Sequence, residues 1–175
     1  MENKQHFFVP LPTEMELLGE GPSFQDALCA MLAKAKVFEG FGQPELMLLA
    51  PHMKAYRVAA GETIFREGNK NSYLSVLVEG RIAVYKEDSS DEVKLLGVIS
   101  PGNIFGEISV IDNLSYSASL VAETDVVIVL MSRESFHRCI NDNPTFGLRL
   151  LNFVAHLLCA RLRSVSGQLV DYIGV

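Results

Sequence analysis

The spacing of apolar and polar positions changes period twice along the 175-residue chain. In the first zone it is helical. Phe24, Leu28, Met31 and Leu32 share one face at intervals of three and four, which predicts a helix over Phe24–Lys36 with Ser23 as N-cap. A second helix is predicted over Gln43–Met53, with Pro44 in its first turn, where a missing N–H costs no hydrogen bond. Ahead of them, Pro10, Pro12, Gly19, Gly21 and Pro22 interrupt any period. Residues 1–22 therefore read as a loose or extended arm, and residues 23–56 as N-terminal helices.

Across residues 57–131 the period drops to two. YLSVLVEGRIAVYK (Tyr73–Lys86) alternates apolar and polar positions and is rich in Val and Ile, with Glu79-Gly80 as the expected turn of a hairpin. KLLGVI (Lys94–Ile99) and SLVAETDVVIVLM (Ser119–Met131) predict further strands. Gly61, Gly68, Gly80, Gly97, Gly102 and Gly106 punctuate them, a pattern of short strands that predicts an antiparallel sandwich or roll.

Residues 132–175 return to helical spacing. A short helix is predicted over Ser132–Asn141, a break at Pro144, and one long helix over 144–169. Leu151, Val154, Leu158, Leu162, Val165 and Leu169 form one stripe, and Leu150, Phe153 and Leu157 another beside it. At ~1.5 Å per residue the helix is roughly 39 Å long. One face suffices to cover the β zone, and the remaining apolar stripe calls for a second helix. A homodimer through 144–169 is the expectation.

Composition narrows the class. Hydrophobic residues make up 49%, enough for a full core without disulfides. The odd set Cys29, Cys139 and Cys159 is no disulfide framework and reads as core filling on helical faces. The first residues lack a secretory pattern, and no run of ~20 apolar residues marks a membrane span. A cytoplasmic location is expected. The net charge of −6 argues against DNA, which needs a Lys/Arg stripe to displace counterions; the one dense basic pair is Arg161 and Arg163.

The segment with chemical promise is PGNIFGEISVIDNLSYSASLVA (Pro101–Ala122). It opens on a Pro-Gly turn, reaches Phe105-Gly106-Glu107, makes a helical turn over Ile108–Asp112 and returns to strand at Ser119. A glycine ahead of a helix lets backbone N–H groups approach a ligand, and a helix start favours an anion. A carboxylate there accepts hydrogen bonds from a sugar hydroxyl. The plainer reading is a tight turn at Gly106 and a dipole partner in Glu107.

GETIFREG (Gly61–Gly68), VLVEG (Val76–Gly80) and FGEIS (Phe105–Ser109), in this order, resemble the cyclic-nucleotide-binding domain family over about Val37 to Ser166. That family includes catabolite-activator-type regulators and kinase regulatory subunits. The resemblance implies a mainly β fold: an eight-stranded antiparallel double-stranded β-roll, jelly-roll-like, with flanking N-terminal helices and a long C-terminal helix. It implies a phosphate-binding cassette from Phe105 to Ser119. Within it Gly106 would approach the ligand and Glu107 would bind the ribose 2′-hydroxyl. Ile108 and Ser109 would offer backbone N–H groups, and Ser117 a donor to the phosphate. The family's nucleotide binders carry an arginine ten residues after the motif glycine, and this chain has Tyr116 there. A phenol offers one neutral hydroxyl where a guanidinium offers a charged fork.

No catalytic or metal site is expected. A cupin-type centre would place histidines on inward strand positions, whereas His6, His52, His137 and His156 all fall outside predicted strands. His156 and Cys159 lie one helical turn apart, too few ligands for zinc. The expected function is a non-enzymatic sensor that takes cyclic AMP or cyclic GMP weakly or with altered specificity, needs no cofactor, and signals to a protein partner that the sequence does not identify. The alternative is a structural or interaction module that keeps the fold without the ligand. A DNA-binding regulator is disfavoured, since only nine residues follow Ser166.

Overall fold

The computed structural model of the chain describes residues 15–173, with side chains as far as residue 169. Among the described residues, nine strands form two antiparallel sheets. The five-stranded sheet runs in the order β1 (Glu16–Glu20), β2 (Lys54–Val58), β9 (Val126–Ser132), β4 (Tyr73–Glu79) and β7 (Ile104–Phe105). The four-stranded sheet runs β3 (Thr63–Phe65), β8 (Ser119–Ala122), β5 (Ile82–Glu87) and β6 (Val93–Ile99). Strands β2 to β9 make the eight-stranded roll. The ninth, β1, comes from the segment read as an arm. It lines up along β2, with Glu16 opposite Arg57 and Glu20 opposite Lys54, and ion pairs join both couples. Residues 1–14 of that arm lie outside the described residues.

The roll overturns the hairpin expected at Glu79-Gly80. β4 pairs with β9 and β7, whereas β5 pairs with β6 and β8, so the two strands belong to opposite sheets. Gly80 is the corner. Its φ is +85°, and a Cβ there would lie 2.3 Å from the Asp125 carbonyl oxygen and 2.7 Å from Val126 Cγ1. Local alternation reports that two strands follow one another, not that they pair. SLVAETDVVIVLM divides in the same way into β8 and β9.

β9 shows why alternation is weak in the centre. Its residues 126–131 are all buried. One face, with Ile128 and Leu130, closes the inside of the roll against Tyr56, Leu77 and Phe105. The other, with Val129 and Met131, meets the helices. A strand covered on both faces reads as a continuous apolar run.

The helices gather on that outer face. α1 (Gln25–Lys34) is shorter than expected, and Ser23 does not cap it: a 3₁₀ turn, Pro22–Phe24, leads in, and Phe24 is the cap residue without a side-chain bond. α2 (Gln43–Leu49) passes into a second such turn, Ala50–His52. The short helix α3 (Glu107–Asp112) lies within the β zone. α4 (Arg133–Asp142) is capped by the Ser132 hydroxyl, which accepts from the Ser135 N–H at 3.2 Å. α5 (Pro144–Ile173) lays Phe146, Leu150 and Val154 into the core shared by Leu28, Leu32 and Phe38. Phe38 stacks on Phe153 at 5.5 Å.

Beyond Leu158 every described α5 side chain is exposed, including Leu162, Val165 and Leu169. By length and composition alone this helix could cross a membrane, since its most apolar 18-residue stretch has a mean hydropathy of 1.2. A soluble protein's core helix passes the same test. Here the first half has a packed face, and Arg161 and Arg163 interrupt the rest. Cys29 and Cys139 are buried as expected, but Cys159 is exposed, because the helix has left the core by that point.

Candidate functional site

The site begins where β7 ends. Phe105 pairs with Ser75 of β4, and the chain then turns at Gly106 with φ +77°. A Cβ at this position would sit 2.3 Å from the Tyr73 carbonyl oxygen and 3.3 Å from the Phe65 ring. Glycine is required twice here, by conformation and by space. The turn leads directly into α3, which ends at Asn113 in a left-handed conformation. The Ser109 hydroxyl donates back to the Gly106 carbonyl at 2.9 Å and tightens the entry.

This turn forms one wall of a cavity of about 400 Å³. β6 supplies Leu96 and Val98, β8 supplies Leu120, and α5 closes the mouth with Arg161 and Val165. Phe105, Gly106, Glu107, Ile108, Ser109, Tyr116 and Ser117 all line it. Ser119 does not: its hydroxyl accepts from the Glu67 N–H at 3.0 Å, outside the cavity. Ser117 is exposed at the rim, and its carbonyl accepts from Lys86 Nζ at 2.6 Å.

Glu107 is 1% exposed. Its Oε1 accepts from Arg161 Nη1, and the same guanidinium donates through Nη2 to the Ile104 carbonyl. Oε2 is buried with no hydrogen-bond partner. Burial pushes the carboxyl pKa up, and the Arg161 charge opposes that shift without cancelling it. Arg161 thus ties the end of β7, the start of α3 and the exposed half of α5 together.

Tyr116 is 7% exposed and lies inside an aromatic stack. Its ring is 4.3 Å from that of Phe65 and nearly parallel, and Phe65 in turn faces Tyr73 and Phe105. Its N–H donates to the Asn69 carbonyl at 3.0 Å and its carbonyl accepts from the Gly68 N–H at 3.0 Å. Burial drives the phenol pKa above its ordinary value. The nearby Tyr73 backbone and Ser109 side chain offset this only in part, and neither completes a hydrogen bond to the hydroxyl.

Sequence reading missed Arg161 and the β6 wall. Arg161 carried one signal: it is a cation beside Leu158 and Leu162 in an apolar stripe. Nothing local says which element that cation faces. Among the described residues, no three His, Cys, Asp or Glu side chains gather as a metal site would require. His137 Nε2 instead accepts from Arg133 Nε at 3.2 Å. His6 lies outside the described residues.

Comparison with known proteins supplies the context. The model of the cyclic nucleotide-binding domain matches residues 56–143. A CRP-like cAMP-activated global transcriptional regulator of Mycobacterium tuberculosis (strain ATCC 25618 / H37Rv) is 27% identical over 143 residues, 82% of this chain and 62% of that protein. The chain therefore spans less than two thirds of the length of that relative. The solved cyclic nucleotide-binding domain from Methylobacillus flagellatus superposes with a TM-score of 0.79 at 24% identity, over 91% of this chain and 89% of that one. The regulatory subunit of a cAMP-independent protein kinase A from Trypanosoma brucei shares the fold with a TM-score of 0.65 at 22% identity, over 77% of this chain and 48% of that one.

Proposed function

We propose a function from one premise: this chain belongs to the cyclic nucleotide-binding domain family. It is a regulatory module, and the finer reading is a sensor whose pocket takes a cyclic nucleotide weakly or with altered specificity. One observation carries this reading. Glu107 is buried at the cavity with one oxygen held by Arg161 of α5 and the other without a partner. A ligand hydroxyl donating to the free oxygen meets a carboxylate already tied to the helix. Occupancy and helix position are then coupled, provided the ligand prefers one helix position. Calorimetry with cyclic AMP and cyclic GMP tests the proposal. Measurable heat that Glu107→Ala abolishes supports it, and no heat or thermal shift at millimolar ligand refutes it.

A second reading, a fold retained without a ligand, is favoured by Tyr116. Its ring is stacked on Phe65 and fills space where the resemblance places an arginine. The same fold occurs in a kinase subunit described as cAMP-independent, so the fold alone does not carry the ligand. On this reading Tyr116→Arg creates cyclic-nucleotide affinity that the parent lacks.

The output is proposed to pass through a homodimer and an unidentified protein partner. Leu148, Leu151, Leu162, Val165 and Leu169 lie exposed along α5 and support pairing with a second copy. The charge of −6 supports a protein rather than DNA as target. Free Cys29, Cys139 and Cys159 support a reducing, cytoplasmic setting.

A further inference from the structure

We propose that the pocket selects an uncharged ligand of the nucleoside class, a ribose-like polyol carrying a flat apolar ring, over the phosphate-bearing cyclic nucleotides. This deepens the sensor reading and rests on the pocket being a ligand site.

Charge is the first reason. The lining residues include one carboxylate, Glu107, and one guanidinium, Arg161, and these two are already paired. Lys86 lies nearby but holds Glu67 Oε1 at 2.7 Å and the Ser117 carbonyl, and it does not line the cavity. A phosphate entering this space finds no free counter-charge among the described lining residues and has a carboxylate for a neighbour. Removing an anion from water into such a setting is strongly unfavourable.

Hydrogen-bond polarity is the second. Glu107 Oε2 is a buried acceptor with no donor. A ribose 2′-hydroxyl supplies the missing donor in either ligand class, but a nucleoside keeps two further hydroxyl donors where a 3′,5′-cyclic phosphate only accepts. The Tyr116 hydroxyl, also buried and unpartnered, exchanges a bond with a neutral hydroxyl or ring nitrogen. The backbone N–H groups that start α3 are neutral donors, equally suited to an uncharged acceptor.

Shape is the third. Leu96, Val98, Leu120 and Val165 present apolar walls suited to a flat ring, and about 400 Å³ lies at the small end of small-molecule pockets.

The test is calorimetry on the full chain at fixed ionic strength, with adenosine and guanosine against cyclic AMP and cyclic GMP. The expected result is a nucleoside bound at least about tenfold more tightly than its own cyclic monophosphate, the scale of one charge-assisted contact. Glu107→Gln is expected to weaken the nucleoside by about tenfold or more. Tyr116→Arg is expected to shift preference toward the cyclic nucleotide, with a thermal melt confirming its fold. Should that variant unfold, Tyr116→Phe serves in its place and is expected to keep the nucleoside preference. Tighter binding of a cyclic nucleotide by the parent, or loss of preference in Tyr116→Phe, overturns the neutral-ligand inference and leaves the sensor reading intact. Binding of neither class at millimolar concentration overturns both.

Discussion

Gly106 and Glu107 carry the site at the scale of single residues. Gly106→Ala meets a left-handed backbone and a 2.3 Å approach to the Tyr73 carbonyl. The conformation alone costs ~1–2 kcal/mol, and the contact adds to it. A urea titration is expected to show a lower midpoint with an unchanged slope. Glu107 has its pKa raised by burial, against the pull of Arg161. Its contribution to stability is therefore fully present below the ordinary value of about 4.3 and is lost as pH rises through the higher folded value. Glu107→Gln removes this dependence, so its stability relative to the parent is expected to improve from pH 4 to pH 7.5. Denaturation at both pH values, with no change in that difference, would contradict the assignment. Arg161→Ala works in the opposite direction. It leaves the buried carboxylate unpaired at a cost of about 1–2 kcal/mol, held to the lower range because the guanidinium is 45% exposed. The loss is expected to be larger at pH 7.5 than at pH 4. Gly106 and Glu107 were legible from FGEIS. Arg161 was not, because its partners stand 54 and 57 positions away.

At the scale of elements, α5 is two helices in one. Its first half is held by Phe146, Leu150 and Val154 in the core, and its second half is largely exposed, tied back to the roll through Arg161 and Val165 at the cavity. Helices of that kind owe their stability to packing more than to propensity. Leu162→Glu with Val165→Glu is expected to leave the roll folded and to convert a dimer to a monomer in light scattering. In the same variant, amide exchange over residues 159–169 is expected to become fast while 146–158 stay protected. A parent that is monomeric across concentrations removes the dimer proposal. The 3.6-residue period placed this helix correctly, since period is a local property. Where it leaves the core is not local, and Cys159, apolar by spacing, ends exposed. The Glu79-Gly80 turn teaches the same lesson. Both strands were evident, but the corner at Gly80 sends them to different sheets.

At the scale of the whole molecule, the roll, the α3 turn and α5 meet at one cavity. A ligand that binds only the folded state adds RT ln(1 + [L]/Kd) to its stability, about 2.7 kcal/mol at a hundredfold excess over Kd. Saturating ligand is therefore expected to raise the melting temperature of the parent. Amide protection in α5 is expected to change in the parent but not in Arg161→Ala, which lacks the tie between pocket and helix. The amino-acid sequence by itself determined the succession of a helical, a β and a second helical zone, an antiparallel sandwich or roll for the middle one, and the Gly106-Glu107 turn. Period, turn residues and short motifs act over a few positions, and these features depend on nothing more distant. Tertiary structure alone decided the rest. Pairing β1 along β2, separating β4 from β5, stacking Tyr116 on Phe65 and bringing Arg161 onto Glu107 all join distant residues through mutual burial. Whether a cation on α5 faces solvent or a buried carboxylate depends on how a 30-residue helix lies against the roll, and no local pattern encodes that register.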